Sequence, residues 1–546
     1  MIAFPTRTRF ALLPIALAVV SSPGLAQTAA VPASSFTDSV GINLHLEYTD
    51  TYYYTRQSVV EAALKQLGVR HVRTRLLPAD TAQSPLEGTN SNATNAAALL
   101  SRAGVKGVLT GAATIGQLYQ DTVDRREVAT TNGWQAHFDA NFANADSAQT
   151  WWDVRAPNTT RVVAVEGVNE PNLKRNSVCA NWMSKAADFQ QRMNERVATL
   201  PRIRDALRVA PSLVHSSGSL CTDSASQSPF RSLGRQTAPV GAGFTIAWNA
   251  GWPTPTASQP ASSWFTATPG SLAATVQVSN LHIYPMVKET PESSLNAPFW
   301  TAGNVNKCAS PASPNEPDPS KGATGFSCAE HLTRSQADGH RKPVWVTEAG
   351  YAVVSAGVTE RTRGIYIPRM LLTNFQAGFA RTYVYELMQG KGGQTDRYYL
   401  LSSAGVQAGS LGYHAMRRLL AAIGDGSLPT GGETTSSVPL SVTELGQPGV
   451  PADPAFPVQK LLFAEKNGSL SLVLWPTDKV ASGTAEITPP ERRVRIALGG
   501  AAKSFTLYPI DPQSTVPIES GQLIAASANQ VEVVLRGGHA VVVKLR

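Results

Sequence analysis

The sequence predicts a (β/α)8 TIM barrel followed by a C-terminal all-β sandwich domain, and three observations carry that prediction. From about residue 40 to 424, short β-branched runs alternate with longer helix-compatible stretches, the pattern of a parallel sheet wound with helices. Eight such runs occur, enough to close a barrel. Beyond residue 428 the helical stretches stop, and strand-like runs separated by Asn-Gly and Gly-Gly pairs take over.

The first barrel strand is Ser39 to Leu46 (SVGINLHL), and Gln57 to Leu67 follows with apolar residues at helical spacing. Val69 to Leu76 and Val105 to Ala112 read as the second and third strands. Arg161 to Val168 (RVVAVEGV) is the fourth, backed by a helical stretch from about Asn181 to Leu200. Ala206 to Ser217 contains the fifth, Val276 to Tyr284 is the sixth, Pro343 to Thr347 the seventh and Arg381 to Leu387 the eighth. The span exceeds a minimal barrel, and Pro/Ser/Ala-rich stretches around 252–271 and 288–335 read as inserted loops. These readings place the barrel at 27–428 and the β-sandwich at 429–546, divided near the Gly/Pro/Thr-rich passage Asp425 to Glu433. Three hairpins are expected in the sandwich, turning at Asn467-Gly468, Gly499-Gly500 and Gly537-Gly538.

The 546 residues are 42% hydrophobic and 16% charged, which permits a large core and argues against disorder. The net charge of +8 is spread along the chain without a Lys/Arg block, so nothing marks a nucleic-acid binder. Ordinary solubility charge accounts for that balance, with an acidic polysaccharide as the partner it would otherwise suit. Residues 1–26 read as a signal peptide. Arg7 and Arg9 precede eleven apolar residues, Phe10 to Val20, and Gly24-Leu25-Ala26 offers a cleavage site before Gln27. Eleven apolar residues fall short of the roughly 20 needed to span a bilayer, and no later segment approaches that length. The chain is therefore expected to be exported, to the periplasm or outside the cell, with no membrane span.

Catalytic groups of such barrels sit at the C-terminal ends of the strands. Strand four ends in Asn169-Glu170-Pro171-Asn172 and strand seven in Thr347-Glu348-Ala349-Gly350-Tyr351. Two carboxylates at one barrel mouth are what glycosidic bond cleavage needs: one protonates the leaving oxygen, and the other attacks the anomeric carbon or activates water. A second Asn-Glu-Pro, at 315–317, lies in a Pro/Ser-rich loop with no strand before it and reads as solvated. On strand six, His282 and Tyr284 share a face, which would let Tyr284 donate to Glu348 while His282 contacts sugar or carboxylate. On strand two, Arg73 and Arg75 share a face. Glu166, four residues before Glu170, should lie deeper in the lumen and need one of those arginines as its partner.

GVNEPN after strand four and VWVTEAGY at strand seven resemble the signature of glycoside hydrolase clan A, the TIM-barrel retaining glycosidases. With LHIYP and the trailing β-domain, the pattern looks nearest to family 39-type enzymes. The resemblance implies Glu170 as acid/base, Glu348 as nucleophile, Asn169 as a ligand of the sugar 2-OH, and Arg73 against the nucleophile. Many clan members carry a Trp at the end of strand eight, where this chain has Tyr385-Glu386-Leu387. Either Tyr385 stacks on the sugar, or Glu386 makes a polar contact there. Tyr52, Tyr53, Tyr54, Trp264 and Trp300 are candidate aromatic platforms, with burial in the core an equal reading for each.

The four cysteines lack metal-binding spacing, so disulfides Cys179–Cys221 and Cys308–Cys328 are preferred among three connectivities, each stiffening loops on the catalytic face. No metal or organic cofactor is implied. The partner expected is therefore a carbohydrate substrate. Two alternatives accompany the hydrolase reading: an inactive barrel serving as a carbohydrate-binding or cell-envelope scaffold, and a transglycosylase using the same two glutamates. The β-sandwich reads as a packing appendage rather than a carbohydrate-binding module, since Trp475 is its single tryptophan.

Overall fold

The computed structural model describes residues 26–47, 51–76, 92–111, 133–170, 182–212, 276–282, 343–353, 359–390, 398–406, 409–424, 436–446, 457–478, 480–482, 485–499, 504–514, 521–524 and 529–545. The signal segment, Tyr284, Trp264, Trp300, all four cysteines and the expected domain boundary lie outside these residues. Among the described residues, no helix is long and apolar enough to cross a membrane.

Strand β1 (Gln27–Pro32) precedes a barrel of eight parallel strands. They are β2 (Val40–Asn43), β3 (His71–Arg73), β4 (Gly107–Gly111), β5 (Arg161–Glu166), β6 (Leu207–Val209), β7 (Ser279–His282), β8 (Val344–Ala349) and β9 (Arg381–Val384). Their order is β6-β5-β4-β3-β2-β9-β8-β7, and a parallel bridge between Val209 and Val278 closes the ring. The helices are α1 (Ala33–Ser39), α2 (Tyr52–Thr55), α3 (Gln57–Leu67), α4 (Asn92–Arg102), α5 (Gly133–Arg155), α6 (Trp182–Thr199), α7 (Glu360–Ala377) and α8 (Leu411–Ile423).

Local chemistry explains the helices that frame the sheet. Helix α3 buries Val60, Ala63, Leu64 and Leu67, one stripe at i, i+3, i+4 and i+7, and ends on Gly68 in the left-handed conformation. Thr359 and Ser410 cap α7 and α8 by accepting the N–H groups of Thr362 and Tyr413.

The lumen is filled in layers because every second strand residue points inward. At the base, Leu109, Ala164, Val209, Val278, Trp345 and Tyr383 form a separate apolar cluster. Gly41 leaves room for the Tyr383 ring, which a Cβ at that position would strike. One step higher the inward positions turn polar, with Asn43, Arg73, Glu166, Asn280 and Thr347 all buried.

The second domain is a nine-stranded assembly, β17-β16-β19-β12-β11-β1-β10-β15-β18. Its later strands are β10 (Ser436–Glu444), β11 (Val458–Ala464), β12 (Leu470–Pro476), β15 (Arg492–Leu498), β16 (Phe505–Pro509), β17 (Gln522–Ile524), β18 (Gln530–Leu535) and β19 (Val541–Leu545), with the small ribbon β13 (Ala481–Ser482) and β14 (Ala485–Glu486) beside it. The domain recruits β1, whose first half runs antiparallel to β10 and whose end runs parallel to β11. Residues 27–32, expected to belong to the barrel, therefore pair in the β-domain, because the unpaired edges of β10 and β11 offer that strand its hydrogen bonds.

Of the three hairpins expected, one forms: β11 pairs with β12 around Asn467-Gly468. Gly500 lies outside the described residues, but the strands on either side of it, β15 and β16, lie in different halves of the sheet, as do β18 and β19 on either side of Gly537-Gly538. Strand β15 pairs with β10 and β18, while β16 and β19 pair with each other. Turn residues supply the positive φ that lets a chain reverse, but they do not choose its hydrogen-bond partner. That choice follows burial: Leu440, Ile496 and Val533 from one half face Leu472, Leu474 and Val543 from the other in one apolar core.

The opposite face of β12 serves the barrel. Val473 and Trp475 join the barrel's core cluster, and the Phe463 ring packs on Phe36 and Phe375 with centroids 5.5 and 5.8 Å away. Trp475 is fully buried there, so it is no part of a binding face. Arg369 of α7 reaches across the junction to the carbonyls of Gly538 (3.0 Å from Nε) and Asp478 (2.8 Å from Nη1). Burial pushes its guanidinium down to about 10.

Candidate active site

Strands β5 and β8 deliver Glu170 and Glu348 to the same end of the barrel. Glu170 lies four residues past the end of β5 in the left-handed region, φ +46°, a conformation that costs a non-glycine residue about 1 kcal/mol or more. Its backbone N–H donates to Ser212 Oγ at 3.2 Å, tying it to the segment after β6. Glu348 sits on β8 where register irregularities occur against both β7 and β9. One oxygen of each carboxylate and a nitrogen of His282 all lie within 4.8 Å of one another. The His282 Nδ1 is 3.0 Å from Glu170 Oε1 and 3.4 Å from Glu348 Oε2.

Arg73 is the hub beneath this pair. Its Nη1 donates to Glu348 Oε1 at 2.6 Å and to Asn43 Oδ1 at 2.9 Å. Its Nε donates to Glu166 Oε2 at 2.5 Å, and its Nη2 donates to Asn169 Oδ1 at 2.8 Å. Burial would pull the Arg73 guanidinium down, but Glu166 and Glu348 together hold it well above its ordinary value. Glu166, fully buried, is thus satisfied by Arg73, by Asn280 Nδ2 at 2.6 Å and by the Thr347 hydroxyl at 2.9 Å. His282, Glu170 and Glu348 are also, among the described residues, the three such donors close enough to chelate an ion. Arg73, 2.6 Å from Glu348, supplies that carboxylate with a counter-charge it shares with Glu166.

A second polar group lines the rim beside Glu348. His45, following β2, has Nδ1 3.4 Å from Glu47 Oε1 and Nε2 3.3 Å from Glu386 Oε2. Tyr53 of α2 donates to Glu386 Oε2 at 3.1 Å and accepts the Met388 N–H at 2.8 Å. Arg75 Nε reaches Glu47 Oε1 at 3.1 Å. Burial would raise the Glu47 carboxyl, yet Arg75 and His45 hold it down at about 2. His45 is moved the other way: burial disfavours its charged form, but Glu47, Glu386 and Glu348 raise it.

The structure therefore brings together Glu170, Glu348, Asn169, His282 and Arg73. Tyr385 is half-buried at the rim, its ring edge-on to His45 and Tyr398 at 5.6 and 5.9 Å. Of the proposed aromatic platforms, Tyr53 is not one: it is fully buried, and its hydroxyl supports Glu386 and the backbone at Met388. Asn43, His45, Glu47, Asn280 and Thr347 were not singled out from the sequence. The alternation in GINLHL and SNLH, which sets 41, 43 and 45 or 280 and 282 on one face, is the signal that marks three of them.

No protein-family model and no curated protein matches the chain. Solved structures do match. A bifunctional glucanase-xylanase, CelM2, from a metagenome library has a TM-score of 0.51 at 11% identity, covering 95% of this chain and 97% of that one. A glycoside hydrolase family 44 endoglucanase produced by Clostridium acetobutylium has a TM-score of 0.51 at 12% identity, covering 83% of each chain. The fold is that of TIM-barrel glycoside hydrolases with a C-terminal β-domain. Because the likeness runs through both domains of CelM2, the β-domain is part of the shared architecture.

Proposed function

We propose that this chain is an exported retaining glycoside hydrolase in which Glu170 is the acid/base and Glu348 the nucleophile. The observation that carries the reading is the close approach of the two carboxylates, within 4.8 Å through their nearest oxygens, at the C-terminal ends of two barrel strands. Oxygens this close favour direct attack by one carboxylate, the retaining course, over the wider gap that inverting enzymes keep to admit a water. In the first step Glu348 bonds to the anomeric carbon as the bond to the leaving oxygen breaks, and the proton of Glu170 passes to that oxygen. In the second, water attacks the glycosyl–Glu348 ester, Glu170 takes the water's proton, and Glu348 leaves as a carboxylate.

Arg73 orients the nucleophile and neutralises it. Asn169 has its Oδ1 engaged by Arg73, which turns its amide toward the sugar 2-OH. Tyr385 supplies the sugar-facing ring in the place of the tryptophan common in clan A. The finer affinity with family 39-type enzymes rests on GVNEPN, LHIYP and VWVTEAGY. The substrate proposed is a poly- or oligosaccharide, with acidic polymers the class that the basic balance of the chain suits best.

Product release from a panel of neutral and acidic polysaccharides and aryl glycosides tests this, with wild type run beside Glu170→Gln and Glu348→Gln. Loss of activity in both variants is expected, as is formation of a glycosyl azide when azide is added to Glu348→Gly. Wild-type activity surviving in either variant would sink the assignment. Transfer to sugar acceptors in place of water would make the enzyme a transglycosylase, and binding without cleavage would favour the scaffold.

A further inference from the structure

The hydrogen-bond partners around His282 determine which of its nitrogens carries a proton. Asn280 Nδ2 lies 2.6 Å from Glu166 Oε1 and 3.0 Å from the Ala210 carbonyl, two groups that only accept, so the amide orientation is settled and both its hydrogens are used. Asn280 Oδ1 is therefore an acceptor facing Thr347 Oγ1 at 2.7 Å, and Glu166 Oε1 is a second acceptor 2.9 Å from the same hydroxyl. Thr347 has one proton, and either neighbour takes it. Its contact with His282 Nε2, at 3.1 Å, must then be one in which the imidazole donates.

A neutral His282 consequently presents the bare Nδ1 to Glu170 Oε1 at 3.0 Å and Glu348 Oε2 at 3.4 Å. A lone pair against a carboxylate oxygen at 3.0 Å is repulsive unless a proton lies between them. We propose that Thr347 and Asn280 are positioning residues that hold His282 as the Nε2–H tautomer, so that Nδ1 and Glu170 Oε1 share the proton delivered to the leaving oxygen. This rests on the acid/base reading of Glu170. In glycosylation the shared proton leaves with the departing alcohol, and His282 is left hydrogen-bonded through Nε2 alone. When water attacks, its proton enters the same position between Glu170 and Nδ1. The charged groups facing the pair are Glu166 from β5, Glu348 from β8 and Arg73 from β3, with His45 and Glu386 behind Glu348.

Two measurements test the proposal. In wild-type protein labelled with 15N-histidine and assigned by His282→Gln, the His282 imidazole should show a protonated Nε2 at every pH where the enzyme is folded; a neutral ring protonated at Nδ1 would overturn the proposal whether or not the protein has activity. Thr347→Val removes the acceptor at nearly constant shape. It lets Nδ1 carry the proton and donate to Glu170, so the alkaline limb of kcat/KM should move to lower pH by about one unit, the effect of one hydrogen bond. Thr347→Ser should restore the wild-type profile. An unchanged limb in Thr347→Val, with Glu170→Gln inactive, would reject the relay and leave the glycosidase reading standing. Activity retained in Glu170→Gln would instead reject the acid/base reading while the tautomer measurement still judged the relay.

Discussion

Arg73 Nη1 stands 2.6 Å from Glu348 Oε1, while Nε of the same guanidinium stands 2.5 Å from Glu166 Oε2. One rigid fork thus joins a lumen carboxylate, buried for structural reasons, to the carboxylate proposed as nucleophile. A lysine carries the charge but only one donor centre, and cannot make both contacts together with those to Asn43 and Asn169. Arg73→Lys is expected to lower kcat/KM by about a hundredfold, the usual effect of losing an aligned charged donor. Arg73→Met should cost about 3–5 kcal/mol in urea denaturation, because it leaves Glu166 unpaired, and Arg73→Met/Glu166→Leu should recover much of that loss. Equal stability of the single and double variants would contradict the pairing.

The retaining mechanism proposed above fixes the stereochemistry of the product. The first product detected by proton NMR should keep the anomeric configuration of the substrate, with mutarotation following later. Inverted product would mean that a water lies between Glu170 and Glu348 during attack.

Tyr53 ties the rim to the barrel through Glu386 Oε2 and the Met388 N–H. Burial, together with the neighbouring Glu386, raises the phenol well above its ordinary range, so it remains a neutral donor across physiological pH. Tyr53→Phe removes one donor from Glu386 and the acceptor of the buried Met388 N–H, and should cost about 1–3 kcal/mol of stability. Since Glu386 adjoins Tyr385, kcat/KM should fall roughly tenfold, mostly through KM. An unaltered KM would place Glu386 outside the sugar subsite.

His71 makes stability depend on pH. Burial pushes its imidazole down to about 4, against the pull of Asp38 at 2.7 Å. Between 6.5 and about 4 the unfolded chain binds a proton at this residue that the folded chain does not, so stability is full above 6.5 and is lost as the pH falls. The loss from this one group should reach roughly 3 kcal/mol at most. Denaturation curves at pH 7.5 and 4.5 should show the decline, and His71→Gln should make it shallower. His539, likewise pushed down to about 4, accounts for part of the remainder.

The β-domain should unfold with the barrel in one transition. Trp475→Ala opens a cavity in the shared core and is expected to cost about 3–5 kcal/mol, while activity per folded molecule should stay unchanged, since Trp475 belongs to the core cluster shared by the two domains and not to the apolar cluster of the lumen. Separate melting of the two domains in wild type would contradict the common core.

The barrel was legible in the sequence because its information is local. Strand and helix periods alternate, α3 reads directly from the spacing of its apolar residues, and Glu170 and Glu348 announce themselves as carboxylates at strand ends. The inward face of β3 was legible for the same reason, since alternation sets Arg73 and Arg75 on one side. What depends on pairing between distant segments could not be read. Gly499 and Gly538 carry turn chemistry whether the chain returns to its neighbour or crosses to the other half of the sheet, and only the packing of Ile496 against Leu474 and their neighbours decides. The same holds for β1, whose partners lie more than 400 residues away. Which of the inward polar residues meet was likewise a tertiary matter. Arg73, Glu166, Asn280, Thr347 and His282 come from four strands, and a buried charge accepts a partner from any of them that supplies a donor at the right height in the lumen.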